Sequence, residues 1–285
     1  MIQNMPLPEE FLERSADLYF EALFILVKLC PDDRDLESFF SPESGFDDEE
    51  FCEIESIKVG NVALLIFSSI ENYLKYKIAQ HSPLLLIANL AEIKWKAMDF
   101  EEFYMHGFPD LLKIYAVIYE STEDTSLRDS FDHLRIMRNK FVHSGRSKEI
   151  SIEGLLKVGA LFINKIWNKN INDHGTIFKF FSSKIGALDD YHDLTNFMEE
   201  YEEENEQHKT LLEMYQLNTF FLTANESLSF LGLKKSDSRE VCPVCSIYDW
   251  QLKFKDYRFS QFTYDGPDKY LVCHLCQSEF LVKEE

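Results

Sequence analysis

Apolar side chains recur at intervals of three and four along most of the chain, the spacing of helices that each bury one face. Over residues 9–30 that face comprises Phe11, Leu12, Leu18, Tyr19, Ala22, Leu23 and Leu26, and Pro31 stops the run. Residues 54–81 carry Ile57, Leu64, Phe67, Ile70, Leu74 and Ile78 on one side. Pro83 breaks that helix; a second helical stretch over 84–98, a connecting loop at 99–107 and a helix over 108–120 opened by Pro109 are expected next. Residues 126–146 place Leu127, Phe131, Leu134, Met137 and Phe141 on one stripe, and Ser144-Gly145 supplies the turn that closes it. A further helix spans 151–168, with Leu155, Leu156, Val158, Leu161, Phe162 and Ile166 inward. Short connections between successive helices predict an antiparallel bundle.

The pattern then changes twice. Residues 176–233 stay helical in tendency but become acidic, and the charge run at 199–204 reads as a solvated helix face. After a polar linker at 232–240, apolar and polar residues alternate through Trp250, Leu252, Phe254, Phe259, Phe262 and Tyr264. Tyr270-Leu271-Val272 and Phe280-Leu281-Val282 follow, so a small β-sheet is predicted. The fold class is therefore mainly α with a small C-terminal β domain. Its expected divisions are 1–52, an N-terminal helix and acidic loop; 53–170, the helical bundle; 171–238, the acidic helical extension and linker; and 239–285, the β module.

Composition agrees with helices: 45% of residues are hydrophobic, enough for a sizeable core, and 10 Gly and 8 Pro are few breakers for 285 residues. The net charge of -21 argues against a protein that coats nucleic acid indiscriminately. Residues 121–180 nevertheless hold ten basic against seven acidic side chains, which makes this window basic and locally suited to RNA. Apolar runs are too short to span a bilayer, and residues 1–13 lack the basic start and apolar stretch of a secretion signal. A cytoplasmic protein without a membrane partner is expected.

Four of the six cysteines form Cys242-Pro-Val-Cys245 and Cys273-His-Leu-Cys276, two CxxC pairs separated by 27 residues. A two-residue gap lets one tight turn aim both sulfurs at the same ion, and four thiolates in a reducing compartment suit one tetrahedral Zn2+ per chain. Because Cys242, Cys245, Cys273 and Cys276 fill the shell, the zinc is expected to be structural, with His274 a neighbour and not a ligand. The module resembles a zinc ribbon. Lys253, Lys255, Arg258 and the aromatic residues permit contact with RNA or with a protein partner.

The helix over 126–146 also carries Arg138, Asn139 and His143. Asn139 and His143 are four apart and share a face, whereas Arg138 and His143 are about 140° out of line on an ideal helix, an angle that a long arginine can bridge. The run Arg138-Asn-Lys-Phe-Val-His143 resembles the Arg-x(4 to 6)-His signature of the HEPN family (higher eukaryotes and prokaryotes nucleotide-binding), with Asn139 as the polar residue after the arginine. Upstream, Glu71-Asn72-Tyr73-Leu74-Lys75 resembles the Glu-x-x-Leu-Lys element of an earlier helix in that family. The likeness covers roughly residues 53–170.

The resemblance implies an HEPN-like helical bundle and a metal-independent RNA endonuclease, with a composite active site where two copies of the chain meet. In that scheme the 2'-hydroxyl of RNA is the nucleophile, His143 moves the proton, Arg138 binds the scissile phosphate, and Asn139 orients the histidine or the phosphate. No cofactor is needed for the chemistry. Family habit adds a toxin or antiviral defence effector, held in check or switched on by a protein partner. Alternatively, His143 caps the last helical turn against the helix dipole, and the chain is a non-catalytic HEPN-like dimer that acts as an adaptor for nucleic acid or protein. No glycine-rich phosphate loop occurs, which argues against a nucleotide-binding domain of that kind.

Overall fold

A computed structural model describes residues 2–29, 49–89, 97–119, 125–144, 150–185, 192–193, 206–247 and 258–282. The chain is mainly helical with a small C-terminal sheet, and it divides into two units, Met1–Ala22 with Ser56–Ile150 and Leu23–Glu55 with Ser151–Glu285. Most of the acidic loop expected before residue 53, the charge run at 199–204, and Trp250, Leu252 and Phe254 lie outside the described residues.

β1 (Ile2–Gln3) is followed by α1 (Pro8–Leu29) and α2 (Glu49–Ala79), of which residues 8–22 and 56–79 belong to the first unit. Glu9 and Glu10 in the first turn of α1 and Lys28 in its last complement the helix dipole. Ser15 and Ser69, both fully buried, join the two helices: each hydroxyl donates to the other's backbone carbonyl at 2.8 Å. These reciprocal bonds satisfy two hydroxyls that would be costly to bury alone. Ile57, expected on the inner face of α2, is 51% exposed.

The helix expected over 84–98 does not form in the part described. Pro83 instead opens a 3-10 turn, Pro83–Leu86, with Ser82 Oγ accepting from the Leu84 amide at 3.3 Å. Buried Ile87 then leaves the helical path to bridge Met105, and Met98–Asp99 forms β2, which pairs in parallel with β1. Side-chain donation from Asn4 Nδ2 to Asp99 Oδ1 at 2.8 Å ties the same two segments. The next helices are α3 (Phe108–Ile118) and α4 (Thr125–Ser144). Phe108 stacks between the two long helices, its ring 4.6 Å from Phe67 on α2 and 5.9 Å from Phe131 on α4.

The second unit contains α5 (Ile152–Phe162), capped by Ser151, whose hydroxyl accepts from Gly154 N at 3.2 Å. It runs into a π-helical turn, Ile163–Trp167, so the expected single helix over 151–168 changes its winding near the end. Then come α6 (Ile177–Ile185), α7 (Glu206–Thr219) and α8 (Ala224–Phe230), the last opened by a capping box between Thr223 and Glu226. The sheet has the order β3-β6-β5-β4, built from His192–Asp193 (β3), Ser260–Asp265 (β4), Asp268–Cys273 (β5) and Glu279–Val282 (β6). β4, β5 and β6 are antiparallel neighbours, and β3 runs parallel to β6. Gly266, at φ 59°, makes the tight turn between β4 and β5. Helix and sheet meet through Tyr215 of α7, whose ring lies 5.7 Å from Phe178 of α6 and 5.2 Å from Phe259 beside β4.

Candidate functional site

The first candidate lies on α4. Phe131, Leu134 and Met137 are buried, as their spacing requires, and this fixes the helix's rotation. Arg138 and Asn139 are thereby left half-buried at the edge of the core, with His143 exposed in the last turn. The Arg138 guanidinium lies 5.5 Å from the centre of the Phe67 ring, a cation–π contact, and its Nη1 donates to Asn139 Oδ1 at 2.9 Å. These two contacts reduce the freedom of a side chain that would otherwise sample many rotamers. Among the described residues, Arg138 and Asn139 are thus brought together, and no hydrogen bond joins either of them to His143.

One turn beyond Phe67 on α2, Glu71 and Lys75 form an ion pair of 2.7 Å. Its i, i+4 geometry is that of ordinary helix support, worth about 0.3–0.5 kcal/mol. On α4, Ile136, 46% exposed, shares a face with Asn139, Lys140 and His143 by helical spacing.

The second candidate is the cysteine cluster of the second unit. Cys242, Cys245, Cys273 and Cys276 are buried, and their four sulfurs lie within 4.8 Å of one another. Cys242 caps a short helical turn, Pro243–Ser246, with Pro243 at its first position and the Cys245 amide donating to Cys242 Sγ at 3.5 Å. The second pair repeats this contact at the end of β5, where the Cys276 amide donates to Cys273 Sγ, again at 3.5 Å. Across the pairs, Cys242 and Cys276 sulfurs are 3.7 Å apart and those of Cys245 and Cys273 3.8 Å. Sulfurs about 2.3 Å from a central ion form a tetrahedron with edges of about 3.8 Å, whereas a disulfide needs about 2 Å. The four thiols are therefore free and spaced to hold one tetrahedral metal ion.

No protein-family model, curated protein or solved structure matches this chain. The chemistry of both candidates rests on their own residues.

Burial pushes the Cys242 and Cys245 thiols well above the ordinary thiol range. Burial also acts to raise Cys276, but hydrogen bonds from Cys242, Cys245, Cys273 and His208 outweigh it and hold this thiol well below that range. Ionising all four thiols in a dry site requires a cation among them, which is what a bound metal supplies. His274 is outside the cluster that can ligate, and its amide donates to the Phe259 carbonyl at 2.9 Å. Among the described residues, no helix is long and apolar enough to cross a membrane.

Sequence patterning did not single out Gly60, whose missing side chain makes room for Phe141, or Phe67 as the platform under Arg138. It also missed His208, which is buried although it stands in an acidic stretch 34 positions before Cys242, the first of the four clustered cysteines.

Proposed function

We propose that the chain is a metal-independent RNA endonuclease of HEPN type, acting as a homodimer, with Cys242, Cys245, Cys273 and Cys276 holding one structural Zn2+. The observation that carries the first part is the posture of Arg138: half-buried, stacked on Phe67 and held by Asn139, on the helix whose exposed last turn bears His143. A guanidinium anchored in this way is pre-oriented for a phosphate.

The reaction this arrangement serves is transesterification. His143 takes the proton of the RNA 2'-hydroxyl, the resulting oxygen attacks the adjacent phosphorus, and Arg138 stabilises the charge that develops on the phosphoryl oxygens. The bond to the 5'-oxygen breaks, and that oxygen receives a proton from the second histidine of the dimer. Two copies of α4, side by side, would supply two arginines and two histidines to one phosphate. The zinc, when bound, supplies charge and cross-linking to the fold of the second unit and takes no part in cleavage. A role as a toxin or defence effector, with an inhibitory or activating protein partner, belongs to the same proposal.

A second reading, a non-catalytic dimer that presents its sheet to RNA or protein, draws on one observation. Phe262 and Tyr264 stand exposed on β4, with Lys269 Nζ 4.1 Å from the centre of the Phe262 ring. Single-stranded RNA incubated with wild type, Arg138→Ala and His143→Ala separates the two. The endonuclease yields 2',3'-cyclic phosphate and 5'-hydroxyl ends with wild type and none with either variant. Cleavage surviving both substitutions overturns the site, and RNA binding without cleavage by wild type favours the adaptor.

A further inference from the structure

The small sheet divides its charges between its two faces. Residues opposite each other in an antiparallel pair share a face, and successive residues along a strand alternate. The register Ser260↔Cys273, Phe262↔Leu271 and Tyr264↔Lys269 therefore puts these six side chains on one side, joined by Phe280 of β6 opposite Leu271. Asp265, Asp268 and Glu279 fall on the other side, with Gln261, Thr263 and Tyr270. Every carboxylate of β4, β5 and β6 is thus on the face away from Lys269.

The Lys269 face is also divided along its length. At one end Ser260, Leu271, Cys273 and Phe280 are buried. Towards the turn at Gly266 the apolar alternation continues past the core, leaving Phe262 40% and Tyr264 71% exposed. A strand that merely outran its core would carry polar residues here, as the opposite face does at Thr263, Asp265 and Asp268. Lys269 Nζ lies 4.1 Å from the centre of the Phe262 ring, and among the described residues no carboxylate pairs with it, so its charge remains for an anion.

Two magnitudes favour a single nucleic-acid strand as the occupant. Rings two residues apart on a strand are separated by about 6.5–7 Å, twice the rise of about 3.4 Å between stacked bases, so each can receive one base of a strand drawn out of its own stack. A ring buries at most about 150–250 Å², and two partly covered rings fall well short of the area of about 800 Å² that each partner brings to a stable protein interface.

We propose that the Phe262–Tyr264 face of β4 is a stacking platform for two unpaired bases of a single nucleic-acid strand, with Lys269 meeting the adjoining phosphate. The inference rests on the sheet surface of the second reading, names its occupant, and holds whether or not α4 cleaves RNA.

The test measures the fluorescence anisotropy of a labelled single strand with the full-length protein. The strand is made as 2'-O-methyl RNA, which lacks the hydroxyl that the proposed cleavage consumes, and as DNA of the same sequence; whichever binds names the source of the bases. Expected for Phe262→Ala and for Tyr264→Ala is a loss of affinity of about 10-fold each, with Tyr264→Phe close to wild type because the ring and not the hydroxyl stacks. Lys269→Gln should weaken binding and reduce the slope of log K against log salt by about 0.7. Thr263→Ala, on the opposite face, should bind as wild type does. Thermal unfolding checks that these exposed substitutions leave the Tm unchanged. No binding of either strand by wild type overturns the inference, as do affinities indifferent to the ring substitutions or a duplex bound as tightly as the single strand. Self-association of wild type that Tyr264→Ala abolishes would assign the face to a second copy of the chain and overturn it likewise. RNA cleavage by wild type together with ring-dependent binding removes the adaptor reading and leaves the platform, whereas binding indifferent to the rings removes the platform alone.

Discussion

The ring of Phe141 occupies the space that a Cβ on Gly60 would need. Gly60 belongs to α2 and Phe141 to the motif segment of α4, between Arg138 and His143, so the glycine lets the two helices close at the point where the proposed chemistry resides. Gly60→Ala should therefore do more than disturb packing. Overpacking of this kind costs about 1–3 kcal/mol, which thermal unfolding would register as a lowered Tm. RNA cleavage should fall further than stability explains if the displaced Phe141 ring carries the last turn of α4, with His143, along with it. Pairing the change with Phe141→Leu should recover much of the Tm.

Phe67 supports Arg138 from below. Replacing it with leucine keeps the site apolar and removes the aromatic face, a contact worth about 0.5–2 kcal/mol. If all of that is felt in the transition state, cleavage slows by about 2- to 30-fold. Arg138→Lys, which keeps the charge but loses the planar fork, should be the more damaging change. Rates measured with RNA in excess check both, and an unaltered Phe67→Leu enzyme would refute the platform role.

Ile136 is large, apolar and 46% exposed on the α4 face shared with Asn139 and His143. In the proposed dimer it belongs at the seam, so Ile136→Glu should give monomers and abolish cleavage together. Light scattering and activity on the same samples decide it. A wild type that is monomeric both alone and with RNA removes the composite mechanism.

The Glu226 carboxyl is held below its ordinary value by hydrogen bonds from the Thr223 hydroxyl and backbone amide, against the opposing effect of burial. A group lowered in the folded state adds stability above its unfolded pKa, near 4.3, and that contribution is lost as the pH falls through the folded value. The stability gap between wild type and Glu226→Gln should accordingly be present at pH 6 and close in acid. Thr223→Ala, which removes the helix cap, should cost about 1 kcal/mol at neutral pH. Urea unfolding across pH measures both.

Local pattern was a good guide wherever local chemistry decides structure. The stripe of Phe131, Leu134 and Met137 is buried, and the strands expected at Tyr270-Leu271-Val272 and Phe280-Leu281-Val282 lie within β5 and β6. The close set of four sulfurs follows from two CxxC pairs. What escaped notice depends on partners distant in sequence. Met98–Asp99 is a strand because Ile2–Gln3 lies beside it, and no feature of residues 84–98 announces that pairing. The linker expected at 232–240 contains Leu233, which is buried, although polar neighbours surround it in the sequence. Gly60 and Phe67 share that difficulty, since each acquires its role only when another helix arrives.

The crossed hydroxyls of Ser15 and Ser69 act as a key against sliding. Moving α1 along α2 by one turn, about 5.4 Å, would break both bonds at once and leave two hydroxyls buried without acceptors, at about 1–3 kcal/mol each. The pair thus sets an axial zero for the first unit. A rearrangement that pivots or splays the helices about this point keeps both bonds, whereas one that ratchets one helix past the other loses both.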